Sequence, residues 1–141
     1  MMKYFTILLA VALTFFLWSK GLEAKYNEEL QAMSFESPVV VELFTSQSCS
    51  SCPPADAILK DLSAKDNVIT LGFHVTYWNH LSWQDTVSKE FSTKRQRAYS
   101  ASAGSNRVYT PQMIVNGRTQ FVGSHEAELT KALKNRRPIE T

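Results

Sequence analysis

The chain has little cysteine, little net charge and no long apolar run, and each shortage narrows what it can be. Two cysteines, Cys49 and Cys52, are all that 141 residues contain. A zinc site built on two Cys pairs is therefore excluded. Neither cysteine lies near the N-terminal apolar segment, which excludes a lipoprotein anchor. Fifteen Lys and Arg stand against thirteen Asp and Glu, a formal charge of +2. A balance so close to neutral gives no global reason to expect nucleic acid or an anionic surface as partner. The N-terminal apolar run extends only from Thr6 to Trp18, short of the roughly 20 residues that a spanning helix needs. Internal repeats and low-complexity stretches are absent too.

What is present begins with an address. Lys3, the short apolar run and the polar change at Ser19-Lys20 read as a secretory signal peptide over residues 1–24. Cleavage is expected after Ala24, with a rather large Leu22 at the minus-three position. The alternative is an uncleaved N-terminal segment, and membrane contact is expected through that segment if at all. Its removal takes Lys3, Lys20 and Glu23 and leaves 13 basic against 12 acidic residues. Export to a periplasmic or secreted location puts the cysteines where a disulfide can persist. The remainder suits one domain of ordinary size. The expected layout is a lead-in over residues 25–37, a domain over 38–135 and a tail over 136–141.

Along the domain, Val39 to Phe44 is a β-branched run without alternation, as expected of a strand buried on both faces. It leads through Thr45–Ser48 into the cysteines. After Pro53-Pro54, the residues Ala55, Ile58, Leu59 and Leu62 share one helical face. Pro54 disfavours helical geometry at Pro53, so the helix is expected to begin a residue or two later. Val68 to Phe73 reads as a second buried strand, and strand–helix–strand in this order implies a right-handed parallel unit. An aromatic, irregular stretch spans His74 to Gln84. Asp85 or Thr86 is then expected to cap a helix to about Ala101, with Val87, Phe91 and Ala98 inward. Gln112–Val115 and Arg118–Val122 form strands around Asn116-Gly117, a strong hairpin signal. Gly123-Ser124 leads into a last helix through Ala127, Leu129, Ala132 and Leu133. The fold class is α/β, a central mixed sheet with flanking helices in the order β-α-β-α-β-β-α.

This order, with Cys-x-x-Cys at the end of the first strand, resembles the thioredoxin fold over about residues 38–135. Thr110-Pro111 looks like the proline that thioredoxin-like proteins hold in the cis form facing their disulfide. A closer resemblance rests on Val41–Gln47, the cysteines, Pro53-Pro54-Ala55-Asp56 and Tyr109–Met113. Together these are similar to a family of secreted bacterial proteins known as domain of unknown function 1223. That family is thioredoxin-like in fold, no activity is settled for it, and its members often extend beyond the last helix.

Disulfide exchange needs a thiolate that attacks and a second thiol that resolves the mixed disulfide. Two residues between cysteines at a helix N-terminus meet both needs, with Cys49 as nucleophile and Cys52 as resolving thiol. An inert structural disulfide is a second reading, although so small a loop stabilises by only about 2 kcal/mol. Copper handling, with the Cys pair joined by His74 or His80, is a third. Against thioredoxin, Ser48 replaces the usual tryptophan and Ser50-Ser51 matches neither reductants nor strong oxidants, so the redox poise stays open. Asp56 suits the first turn of a helix but opposes a nearby thiolate.

Glu42 is the one carboxylate in an apolar strand. By resemblance it is a candidate for the buried acid that relays the resolving thiol's proton. It lies one position further from Cys49 than the thioredoxin acid, which turns it to the other face unless the loop compensates. A salt-bridged Glu is the alternative. Thr110, Pro111 and Trp78 are the candidate substrate-binding residues, with the Thr110 backbone free to pair with an extended chain. Tyr77, Trp78 and Trp83 either line a groove beside the disulfide or belong to the core. Lys94, Arg95 and Arg97 read as a solvated basic helix face, and His125 as a first-turn residue of the last helix. The expected partners are protein thiols or disulfides, and the sequence implies no cofactor and no resident metal.

Overall fold

The computed structural model of the chain describes residues 16–26, residue 28 and residues 38–135. The chain divides into two units, Met1–Ser34 and Phe35–Thr141. In the first, residues 16–26 are helical and mostly exposed, with Lys20 Nζ 3.3 Å from Glu23 Oε2. Among the described residues no helix is long and apolar enough to cross a membrane. Most of the expected signal segment, nearly all of the lead-in and the tail over 136–141 lie outside the described residues.

The second unit carries seven elements: β1 (Val39–Thr45), α1 (Pro53–Leu62), β2 (Val68–His74), α2 (Glu90–Ser102), β3 (Gln112–Val115), β4 (Thr119–Val122) and α3 (Glu126–Lys134). They build a four-stranded mixed sheet in the order β2-β1-β3-β4. β2 runs parallel to β1, while β3 and β4 are antiparallel neighbours. This is a mixed α/β fold in a thioredoxin-like arrangement, as the element order implies.

β1 lies between two strands, and its β-branched run is buried on both faces. Leu43 points to the side where Ala55 of α1 and Pro111 meet around Gly123. Phe44 points to the other side and stacks on Phe73 at 5.3 Å between centroids, with Tyr99 of α2 edge-on. α1 and α2 thus lie on opposite faces. The β3–β4 turn has Asn116 at φ 49° and Gly117 at φ 68°, two positive values that this two-residue hairpin requires.

Four expectations need correction. α1 starts directly at Pro53, with Cys52 as its N-cap. Proline is tolerated in a first turn because its missing N–H has no partner there anyway. β2 is the sheet's edge rather than a doubly buried strand: Ile69 and Leu71 on the α2 side are exposed. α2 begins at Glu90, not at Asp85 or Thr86: Asp85 closes a turn on the Val87 amide that does not propagate, and the helix starts only after the extended Lys89. Its inward stripe is Ser92, Thr93, Gln96 and Ser100, while Val87, Phe91 and Ala98 are exposed. Polar residues can hold that interface because they are bonded: Gln96 Nε2 donates to Gln112 Oε1 at 2.8 Å and to the Tyr109 carbonyl at 2.7 Å.

Candidate functional site

The sulfurs of Cys49 and Cys52 are at bonding distance, with their Cα atoms 5.4 Å apart. A short turn prepares them: the Cys49 amide donates to the Ser46 carbonyl at 3.1 Å and the Cys52 amide to the Cys49 carbonyl at 3.2 Å. As N-cap of α1, Cys52 sits at the positive end of the helix. Cys52 is fully buried and Cys49 is 4 % exposed, so what little access the pair has is at Cys49. Ser51 Oγ lies 3.5 Å from Cys49 Sγ.

Two segments stand at this end of the sheet. The first is the Thr110-Pro111 turn, whose peptide bond is cis. Phe44 pairs with Gln112 in the antiparallel register, so Pro111 falls beside the end of β1, where the chain turns toward the cysteines. The second is the aromatic stretch between β2 and α2, which is tied to both sides of the site. Trp78 Nε1 donates to Thr110 Oγ1 at 2.7 Å. Ser48 Oγ donates to the Trp83 carbonyl at 2.5 Å, and Trp83 Nε1 donates to Gln47 Oε1 at 3.4 Å. Trp78 is half-buried and joins the core around Phe44, Val75 and Ile114 with Tyr77. Trp83, by contrast, leaves 62 % of its surface exposed next to the approach to Cys49.

The anchor of that stretch is Asp85, which sequence reasoning took only for a helix cap. Its side chain is fully buried. Oδ2 accepts from the Gln47 amide at 2.8 Å and lies 2.7 Å from His74 Nδ1, while Oδ1 accepts from the Val87 amide at 3.1 Å. Burial alone would raise its pKa, but the Gln47 amide, His74 and the Val87 amide together lower it. An Asp ahead of a helix looks like an ordinary cap, so only an odd late helix start would have signalled otherwise.

Glu42 lies apart from this chemistry. Alternation along β1 turns it away from Leu43 and α1, toward α2. There Arg95 Nε donates to its Oε1 at 2.6 Å, and the Tyr99 hydroxyl donates to its Oε2. Burial and the neighbouring Glu42 carboxylate push the Tyr99 pKa up to about 12. The salt-bridged reading of Glu42 describes this geometry, and Arg95 leaves the basic face to make it. The Glu42 carboxylate is committed to Arg95 and Tyr99 on the α2 side of the sheet.

The residues considered for copper are engaged otherwise. His74 Nδ1 faces Asp85, and His80 Nδ1 faces the Tyr77 carbonyl at 2.8 Å. Among the described residues no group of three or more His, Cys, Asp or Glu is placed to hold a metal ion. A pocket of about 170 Å³ lined by Tyr99, Ile114, Gly117, Arg118 and Gln120 belongs to the hairpin end and shares no residue with the disulfide site. His125 is the N-cap of α3 and makes no side-chain capping bond.

Comparison with known proteins adds a family and a neighbour. The family model described as protein of unknown function, DUF1223, matches residues 40–141. The crystal structure of protein AGR_C_4864 from Agrobacterium tumefaciens is similar at 44 % identity with a TM-score of 0.66. The match covers 72 % of this chain and 46 % of that one, so the chain spans less than half the length of this relative. No curated protein matches the chain.

Proposed function

We propose that this chain, which belongs to the DUF1223 family of proteins of unknown function, is a thiol–disulfide exchange protein acting on protein thiols or disulfides outside the cytoplasm. One observation carries the proposal: Cys49 and Cys52 are bonded in the turn that leads into α1, with Cys52 at the N-cap position of the helix. The access that remains is at Cys49, which makes it the sulfur that an outside disulfide or thiolate meets, and a resolving thiol three positions away is in reach of any mixed disulfide formed there. Cys49 is the attacking sulfur and Cys52 the resolving one.

Thr110, Pro111 and Trp78 form the substrate side of the site. Thr110 ends a loop beside the end of β1, and its side chain is steadied by Trp78. An extended substrate segment pairs with the Thr110 backbone in the manner of strand addition. Exposed Tyr109 precedes Thr110 in the chain, and exposed Trp83 is tied to Gln47 and Ser48 just ahead of Cys49. Export follows from the signal-like segment over residues 1–24, and an oxidising compartment suits the bonded pair. Exchange by two thiols needs no cofactor.

The test is stoichiometric exchange with oxidised glutathione. Reduced wild-type protein should consume it and regain the Cys49–Cys52 bond. Cys49→Ser should abolish the reaction yet stay folded, since so small a loop contributes only about 2 kcal/mol. A reduced wild type that stays inert over hours overturns the proposal.

A further inference from the structure

Four polar residues stand at the end of the sheet from which the chain runs to the cysteines and into α1. Thr45 closes β1 and His74 closes β2, paired with each other in the parallel register. Asp85 bonds to His74. The fourth is Asp56, in the first turn of α1. Its amide donates to the Cys52 carbonyl at 3.1 Å, so Asp56 stands one helical turn along from Cys52 on the same side. Helical side chains lean toward the N-terminus, which brings the Asp56 carboxyl back toward Cys52. An acid in a first turn is favoured by the helix dipole alone and needs no further role. What goes beyond that is Thr45: alternation along β1 turns it to the side of Leu43, which α1 covers, and its hydroxyl is fully buried without a hydrogen-bond partner among the described residues.

We propose that Asp56 is the proton acceptor for Cys52, steadied by the Thr45 hydroxyl, in the position that Glu42 does not fill. The inference rests on the exchange reading above. In the reducing direction, the Cys49 thiolate attacks a substrate disulfide, forms a mixed disulfide and expels the first substrate thiolate. Cys52 then gives its proton to Asp56, directly or across one water, and its thiolate attacks Cys49 Sγ. The Cys49–Cys52 bond forms, the second substrate thiolate leaves and takes up a proton, and the dithiol is oxidised as the substrate disulfide is reduced. In reverse, protonated Asp56 returns the proton as Cys52 leaves.

The surroundings suit this role. Asp56 as a residue is exposed, which lets the accepted proton reach solvent. Its carboxyl is nonetheless partly desolvated, and this raises its pKa; Thr45 and His74 act to lower it and Asp85 to raise it. A raised pKa makes the carboxylate a better proton acceptor than a fully hydrated one.

An aromatic disulfide such as 5,5′-dithiobis(2-nitrobenzoate) reads the two steps separately. Reduced protein releases one coloured thiolate when Cys49 attacks and a second when Cys52 resolves. Asp56→Asn should slow the second release at least about tenfold and leave the first within about twofold. The sign discriminates: if Asp56 acted only as a nearby negative charge, its removal would favour the Cys52 thiolate and speed the second release. Thr45→Val removes the hydroxyl that lowers the Asp56 pKa, so the acid limb of the second step should move to higher pH. An unchanged or faster second step in Asp56→Asn, or equal slowing of both steps, overturns the inference while exchange itself stands. A wild type that releases neither thiolate overturns the exchange reading, and this inference with it.

Discussion

Asp85→Asn removes the charge that holds the loop before Cys49 to the β2–α2 stretch. The carboxylate has the Gln47 amide and His74 at one oxygen and the Val87 amide at the other. Asparagine keeps one oxygen and puts an NH2 where the other stood. Whichever way it turns, at least one buried amide faces a donor, and the remaining bonds lose their charge assistance. A hydrogen bond to a charged group contributes about 1.5–3 kcal/mol, and a stranded donor costs about 1–3 kcal/mol. With incomplete additivity the expected loss is about 3 kcal/mol at pH 7. Urea unfolding reads it: with a slope of about 1.5 kcal/mol/M, the midpoint should fall by about 2 M. The pH dependence supplies a second check. Asp85 has its pKa lowered in the folded state, so its contribution is present above the ordinary Asp value of about 3.9 and is lost as pH falls through the folded value. The gap between wild type and Asp85→Asn should therefore narrow below about pH 4. A midpoint shift under about 0.5 M at pH 7, or a gap that does not depend on pH, would refute the assigned role of Asp85.

Two further substitutions probe the frame around the site. Glu42→Gln leaves Arg95 and Tyr99 without their buried anion and should cost about 2–4 kcal/mol in urea unfolding; the rate of exchange at Cys49 should stay within about twofold of wild type, and a large fall would return Glu42 to the chemistry. Gly123→Ala places a methyl 2.8 Å from Leu43 Cδ1, 3.0 Å from Ala55 Cβ and 3.3 Å from Pro111 Cβ. Overpacking of this kind costs about 1–3 kcal/mol, and thermal unfolding should show a matching fall in Tm.

The fold was legible where local sequence and tertiary role agree. β1 reads as doubly buried because its residues show no polar–apolar alternation, and in the sheet it sits between two neighbours. Asn116-Gly117 reads as a turn because both residues accept positive φ. α2 was misread because periodicity reasoning looks for an apolar stripe, whereas its buried face is Ser92, Thr93, Gln96 and Ser100. The site was legible only in part. The cysteines, Thr110 and Pro111 stand in recognisable local motifs. Glu42 finds Arg95 at a separation of 53 residues, and Gln47 finds Asp85 at 38. Pairings that distant leave no periodicity for a sequence reading to detect, so the Glu42 ion pair and the Asp85 anchor emerge only in three dimensions.

The reduction potential of the Cys49–Cys52 pair tests the exchange reading most directly. Protein equilibrated across glutathione redox buffers, quenched with an alkylating agent and weighed by mass spectrometry gives the oxidised fraction at each poise. A pair built for exchange should titrate above about −300 mV, within reach of the glutathione couple. A pair that stays oxidised throughout, with a potential well below about −300 mV, would be a structural disulfide and would contradict the proposed function.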